Sequence, residues 1–284
     1  MEVAACVGNP PLRHPGSRLE PRVQAVPTPT RNVEIALAAG DSLEAGILAG
    51  FARAGFDSGF VEINDLACSR IDYVIPARAG RPDRFAWYST PRAPEGSAQI
   101  TQGFMSIGRH QTAGFTHCHG SWTLADSTVA MGHLLSHETV VARDCILHAT
   151  GFVSACFDRL PDAETGFEIF AATGASSGDT VDAIIMTLRP NTDIPTACAQ
   201  ICAEHRIESA RIVGLDSLNG AIFQDTTRMR DCVSEFLIRE GRVHAGQVTL
   251  DICVVDSEAN QFLGQIVSGG GGVSVTSELV IIPT

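Results

Sequence analysis

The sequence predicts a chain built from two similar halves, each mixing several strands with a helix of about 12 residues. Three observations lead there: a strand–turn–helix pattern that occurs twice, a second matching segment late in each half, and a histidine-rich hairpin present in only one half. A length of 284 residues accommodates one large domain or two of ordinary size. With 44% hydrophobic and 18% charged residues, the chain has the composition of a globular protein with a substantial core.

Taken in order, residues 1–30 come first and hold six of the 14 prolines with little periodicity. They read as an extended arm, either disordered or laid on a neighbouring subunit. The apolar stretch from Val3 to Val7 lacks a basic start and stops at Gly8-Asn9-Pro10, so no signal peptide is expected. Next, Leu37-Ala-Ala-Gly-Asp-Ser-Leu-Glu-Ala-Gly-Ile47 matches Leu188-Arg-Pro-Asn-Thr-Asp-Ile-Pro-Thr-Ala-Cys198. Each is the end of a strand, a polar turn and the start of a helix. Ser42 and Asp193 suit the N-cap positions, with Pro195 in the first helical turn. Leu43, Ile47, Leu48 and Phe51 form one apolar stripe, and Ile194, Cys198, Ile201 and Cys202 form the other. Strands follow both helices, at Gly59–Ile63 and Ala210–Gly214.

Near the end of each half, Asp126-Ser-Thr-Val-Ala-Met-Gly-His-Leu134 aligns with Glu258-Ala-Asn-Gln-Phe-Leu-Gly-Gln-Ile266. The first half carries about 19 more residues between its two matches, and Ala79 to Ser97, with Trp87 and Tyr88, is the place for them. These readings divide the chain into an arm (1–30), a first domain (31–175) and a second domain (176–284), with the boundary at Gly174 to Gly178.

The composition then limits the chemistry. All 20 basic residues are arginine, and the net charge is −12. Without lysine there is no Schiff-base chemistry and no phosphate loop of the usual kind. Arginine stays protonated and does not serve as a general base. Proton transfer falls to His, Asp, Glu, Cys, Tyr or a metal centre. The acidic balance argues against nucleic acid as a partner. No apolar run reaches the roughly 18–20 residues that span a bilayer, so no membrane is expected. Nine cysteines without a CxxC pair predict free thiols in a reducing cytoplasm.

Six of the nine histidines lie between His110 and His148. In Thr116-His117-Cys118-His119-Gly120 the two histidines share one face of a strand, and Cys118 faces the other. Asp126-Ser127 is the turn signal, and His119 and His133 are equidistant from Asp126. A hairpin centred there sets His133 opposite His119, with Cβ atoms about 4.5–5.5 Å apart. Three imidazoles on one face can hold a divalent metal ion, zinc by their chemistry, that polarises a carbonyl or a water. His117, His119 and His133 are therefore the candidate metal ligands. A register shift of one residue would turn His133 away.

Other groups nearby are candidates for catalysis. Glu138, with His137, follows the hairpin and could act as a base or orient a ligand; a solvated turn is the plain alternative. Arg109 could clamp a substrate carboxylate, or serve only at the surface. Trp87 and Tyr88 could cover the site as a lid, or form a surface excursion. In the second half the positions of the three histidines hold Thr249, Asp251 and Gln265, so that half is structural or completes a pocket at an interface. Ser268-Gly-Gly-Gly-Gly272 lacks the order of a phosphate loop and reads as a flexible connection.

The combination of Gly40-Asp41-Ser42-Leu43, Phe115-Thr-His-Cys-His-Gly120 and Gly132-His-Leu-Leu135 resembles the plants-and-prokaryotes-conserved (PPC) domain. The resemblance covers about residues 33–150, and more weakly about 184–284 as a second copy that has lost its histidines. It implies an α+β fold in which each domain is a mainly antiparallel sheet with flanking helices. It also implies a homo-oligomer, usually a trimer, and histidines at the positions of His117, His119 and His133. The fold is similar to that of acetolactate decarboxylase, where three histidines hold zinc. Bacterial members are often labelled DNA-binding proteins. In plant members DNA contact belongs to an AT-hook, to which Arg78-Ala-Gly-Arg-Pro82 is a poor match. The expected function is a metal-dependent lyase, decarboxylase or hydrolase acting on a small anionic substrate. The alternatives are a DNA-binding regulatory protein and a metal-binding scaffold without catalysis.

Overall fold

The structure is a computed structural model that describes residues 8–81, 83–175 and 181–284. Its first stretch runs β1 (Val23–Thr28), β2 (Thr30–Leu37), α1 (Leu43–Ala54), β3 (Gly59–Arg70), β4 (Tyr73–Val74), β5 (Pro76–Arg78), β6 (Ala86–Tyr88) and β7 (Ala98–His110). It continues with β8 (Ala113–Leu124), β9 (Val129–Leu134), β10 (Val140–Val141), β11 (Cys145–Phe152), β12 (Ala155–Pro161) and β13 (Glu168–Gly174). The later stretch runs β14 (Ala183–Leu188), α2 (Ile194–Glu204), β15 (Ser209–Leu218), β16 (Ala221–Ile222) and β17 (Arg228–Met229). It closes with β18 (Ser234–His244), β19 (Gln247–Asp256), β20 (Gln261–Gln265) and β21 (Val273–Pro283).

Two sheets dominate. The first has ten strands, seven along the path β2-β11-β3-β7-β8-β9-β4 with β10, β12 and β13 off it, and the second has seven in the order β1-β14-β21-β15-β18-β19-β20. Six consecutive strands of one path, β2-β11-β3-β7-β8-β9, correspond in chain order to β14-β21-β15-β18-β19-β20 of the other. Almost all pairings are antiparallel; β12 beside β7 is parallel. The expected antiparallel sheets are present, while the helical part of the expected α+β class is thin. Among the described residues it amounts to α1 and α2.

Both helices begin as their capping residues dictate. The Ser42 hydroxyl accepts from the Ala45 amide, and the Asp193 carboxylate accepts from the Thr196 amide at 3.1 Å. Gly55 ends α1 in the left-handed region at φ 80°, which its missing Cβ permits.

The layers follow from strand alternation. Leu43, Ile47 and Phe51 of α1 are buried in the core of the first sheet. The Thr116 hydroxyl donates to Glu44 of α1 at 2.6 Å, so the even positions of β8 face the helix. His117 and His119 therefore face the second sheet. From that sheet Ile185, Val213, Leu215, Leu237, Val255 and Val280 join the same core. The residues alternating with them, including Ile184, Ile212, Phe236 and Leu279, form a separate core with Ile194, Cys198 and Ile201 of α2. The order is α1, first sheet, second sheet, α2.

The described part of the N-terminal segment pairs within its own chain. β1 pairs with β14 from Val23↔Leu188 to Thr28↔Ala183. Pro27 is accommodated because β1 is an edge strand with no neighbour on its far side. Arg22 is buried, donating to Glu164 at 2.6 Å and to the carbonyls of Leu19 and Pro190. Val3 to Val7, Pro82 and residues 176–178 of the expected domain boundary lie outside the described residues. The eight described cysteines are free thiols, and among the described residues no helix is long and apolar enough to cross a membrane.

Candidate metal centre

The hairpin of β8 and β9 turns at Asp126, whose Oδ1 accepts from the Thr128 amide at 2.9 Å while Ser127 adopts φ 68°. Its register pairs His119 with His133. One face thus collects His117, His119 and His133, whose rings stand 4.8, 4.9 and 5.4 Å apart. One ligand atom from each lies within 4.8 Å of the others.

The second sheet fixes two of these rings from outside. His119 Nδ1 donates to the Phe236 carbonyl at 3.0 Å, which leaves its Nε2 as a bare lone pair in the neutral ring. His117 Nδ1 meets Glu278 Oε1 at 2.8 Å; when that carboxylate accepts, His117 Nε2 is bare as well. The two Nε2 atoms then face each other at 3.2 Å. Two nitrogens about 2.0–2.1 Å from one tetrahedral zinc ion stand about 3.3–3.4 Å apart. His133 Nδ1 is buried with no hydrogen-bond partner among the described residues. The donor set therefore fits a divalent cation in both chemistry and spacing.

Burial keeps the three rings neutral. It pushes His117 down to about 3, helped by the charge of Arg159. His119 and His133 are also held well below the ordinary range, first by burial and then by neighbouring histidines. Neutral imidazole is the form that ligates.

The site extends across the sheet interface. A cavity of about 210 Å³ is lined by the three histidines, by Phe115, Phe167 and Phe170, and by residues of β15, β18 and β21. Asp216, Glu235 and Glu278 enter it from those three strands and are 7%, 5% and 2% exposed. Each has a carboxylate oxygen without a hydrogen-bond partner. Burial raises all three: Glu278 up to about 8, Asp216 further helped by Glu278, and Glu235 by Asp216. Asp216 is aimed by its backbone. Leu215 already faces the first sheet, so regular alternation would send Asp216 toward α2. Its φ of 131° and the register shift between β15 and β21 redirect it into the cavity.

Of the residues expected from sequence, the three histidines converge and the two catalytic candidates do not join them. Arg109 bonds Asp158 at 3.0 Å and lies 3.8 Å from Asp57, outside the cavity lining. Ser106 of β7 sits opposite His117, so Arg109, three residues on, faces the α1 side. Glu138 pairs with Arg70 at 3.1 Å on the surface turn and does not line the cavity either. A small anionic substrate would meet Asp216, Glu235 and Glu278, with Arg159 the one arginine in the lining. That arginine is already engaged, 3.0 Å from Glu168 and 4.3 Å above the Phe115 ring.

The inserted segment forms part of the cavity wall. Tyr88 lies edge-on to His133 at 5.0 Å, and Trp87 lies 5.7 Å from Phe167. Cys118 faces away from the cavity in the core, where burial pushes its thiol up. In the second half, Asp251 pairs with Gln265 across β19 and β20, and Asp251 is 3.2 Å from Arg239. The glycine run is held rather than loose: the Gly271 amide donates to Asp193 and its carbonyl accepts from Ile194.

Sequence reading missed the three carboxylates. Their one signal is a lone acid inside an apolar strand, as in Val213-Gly-Leu-Asp-Ser-Leu218 and Ser277-Glu-Leu-Val-Ile281. Charged residues are rarely buried without a partner, so such a position is informative.

No family model matches the chain, and no curated protein matches it. Solved structures align with about half of it. The metal-containing protein of Archaeoglobus fulgidus is 16% identical, over 49% of this chain and 92% of that one, with a TM-score of 0.39. A protein of Ralstonia eutropha JMP134 designated a candidate DNA-binding protein is 18% identical, over 49% of this chain and 89% of that one, with a TM-score of 0.39. The plant- and prokaryote-conserved protein of Pyrococcus horikoshii is 12% identical, over 54% of this chain and 96% of that one, with a TM-score of 0.37. Solved structures similar to half of this chain thus include one from the family its histidine motifs resemble.

Proposed function

We propose that His117, His119 and His133 hold a divalent metal ion, zinc by donor type, and that the cavity beside them is the reaction site of a small-molecule lyase, decarboxylase or hydrolase. The observation that carries this reading is the pair of Nε2 atoms 3.2 Å apart, each on a ring anchored through its other nitrogen. When bound, the ion would supply a Lewis acid for a substrate oxygen. Glu278 and the Phe236 carbonyl orient the rings of His117 and His119. Phe115, Phe167 and Phe170 give the cavity an apolar wall. The two halves, 31–175 and 176–284, act as copies of one unit in which the first keeps the histidines and the second supplies carboxylates. A trimer is the assembly the family resemblance implies, and light scattering on the purified chain tests it.

Cobalt substitution tests the metal reading. A tetrahedral site with three imidazoles gives intense visible absorption that saturates at one equivalent and disappears in His119→Ala. A colourless, non-saturating titration would overturn it. A DNA-binding reading is the alternative, and the similar Ralstonia eutropha protein carries that designation. Arg78 lies 3.0 Å from Asp231 and Arg81 2.7 Å from Asp83, so both arginines are already paired with acids. It predicts salt-sensitive duplex binding lost on changing those arginines. A scaffold without catalysis predicts metal binding with no turnover in a metabolite screen.

A further inference from the structure

Beside the histidines the cavity carries more carboxyl groups than its lining has cations to pair with. Asp216, Glu235, Glu278 and Glu168 line the cavity against Arg159 alone, and Arg159 is paired with Glu168. Among the described residues, no side chain or amide makes a hydrogen bond of good geometry to the buried oxygens Asp216 Oδ2, Glu235 Oε2 and Glu278 Oε2. A fourth unpartnered group is not acidic: Thr276 Oγ1 lines the same cavity, 6% exposed, with no partner. Buried acceptors of this kind destabilise the fold when left unmet. The backbone strain that turns Asp216 inward adds to that cost. The same cavity has an apolar wall, with Phe115 edge-on to Phe170 at 5.6 Å and Phe167 in the lining.

We infer that the cavity binds a small molecule carrying an amidinium or primary ammonium group on an apolar body, with its N–H donors on Asp216, Glu235 and Thr276. This gives the substrate class for the site proposed above. The charge preference itself comes from the second-half carboxylates and not from the metal. A single planar amidinium offers several N–H donors in a fork that suits carboxylate oxygens. A cavity of about 210 Å³ limits the occupant to a compact molecule.

Benzamidine and benzoate, close in shape and opposite in charge, are the probes. Calorimetry on the full chain after chelation is expected to give at least tenfold tighter binding of benzamidine. Asp216→Asn and Glu235→Gln, each made separately, should weaken benzamidine at least tenfold and leave benzoate no weaker. Equal affinities, tighter benzoate, or no binding of either probe to the wild-type chain would overturn the inference. Its failure is distinguishable from failure of the metal reading. A chain that binds no cobalt yet prefers benzamidine loses only the metal, and one that binds cobalt without the preference loses only this substrate class.

Discussion

His117 Nδ1 and Glu278 Oε1 stand 2.8 Å apart although 161 residues separate them in the chain. The contact joins the histidine strand of the first sheet to the last strand of the second. It sets the His117 ring so that Nε2 points at His119. Glu278→Gln should therefore weaken zinc binding by about 10–100-fold while the chain stays folded. Competition with a chromophoric chelator measures this, and unchanged affinity would remove Glu278 from the centre.

The buried acids give the metal-free chain an unusual pH dependence. Glu278 is pushed up to about 8 from an ordinary 4.5, so the folded state keeps a proton that the unfolded chain has lost. Stability from such a group is present at low pH and declines as pH rises toward 8, by up to about 1.4 kcal/mol per pH unit. His119 and His133 act in the opposite sense, being depressed from 6.5. Their contribution is complete above about 6.5 and lost below it. Between about 6.5 and 8 the carboxylates act alone, so denaturant melts of the chelated chain should show stability falling with pH. Glu278→Gln should flatten that slope; a wild-type slope that is flat or rising would contradict the account.

Asp216 holds φ 131°, a region costly for a residue with a Cβ. Asp216→Gly relieves that strain and removes a buried unpaired carboxylate, at the price of added chain entropy. The expected outcome is a gain of about 1 kcal/mol in the metal-free chain by chemical denaturation, accompanied by loss of benzamidine binding. A loss of stability would mean that the side chain supports the fold.

The two helix caps should differ in cost. Ser42 is half-buried and its bond to the Ala45 amide is long, at 3.5 Å. Asp193 is buried and accepts from Thr196 N, from Thr196 Oγ1 at 2.6 Å and from Gly271 N at 3.1 Å. Ser42→Ala should cost about 0.5 kcal/mol and Asp193→Ala about 2 kcal/mol or more, because the second leaves several donors unmet. Equal thermal shifts for the two variants would argue against this ranking.

The legible part of the site was its local part. His117 and His119 share a face by strand period, and the Asp126 turn fixes His133 opposite His119, all within 17 residues of chain. The carboxylates were illegible because they come from strands that meet the hairpin only through sheet stacking. Nothing in local spacing connects Glu278 to His117. Arg109 could have been set aside from sequence by strand parity, had its partner strand been known. The proline-rich N-terminus was misread for a physical reason: Pro27 excludes a central strand but not an edge one, and β1 is at the edge. The repeated strand–turn–helix pattern was readable because both caps are encoded within a few residues.

The most direct test of the account is the metal content of the purified chain by elemental analysis, set beside His117→Ala, His119→Ala and His133→Ala after equal exposure to zinc. The account predicts one zinc ion per wild-type chain and a large loss in each variant, with folded far-ultraviolet spectra retained. A wild-type chain that retains no zinc, or three variants that retain it as well as the wild type, would contradict the claim that these histidines form a metal centre.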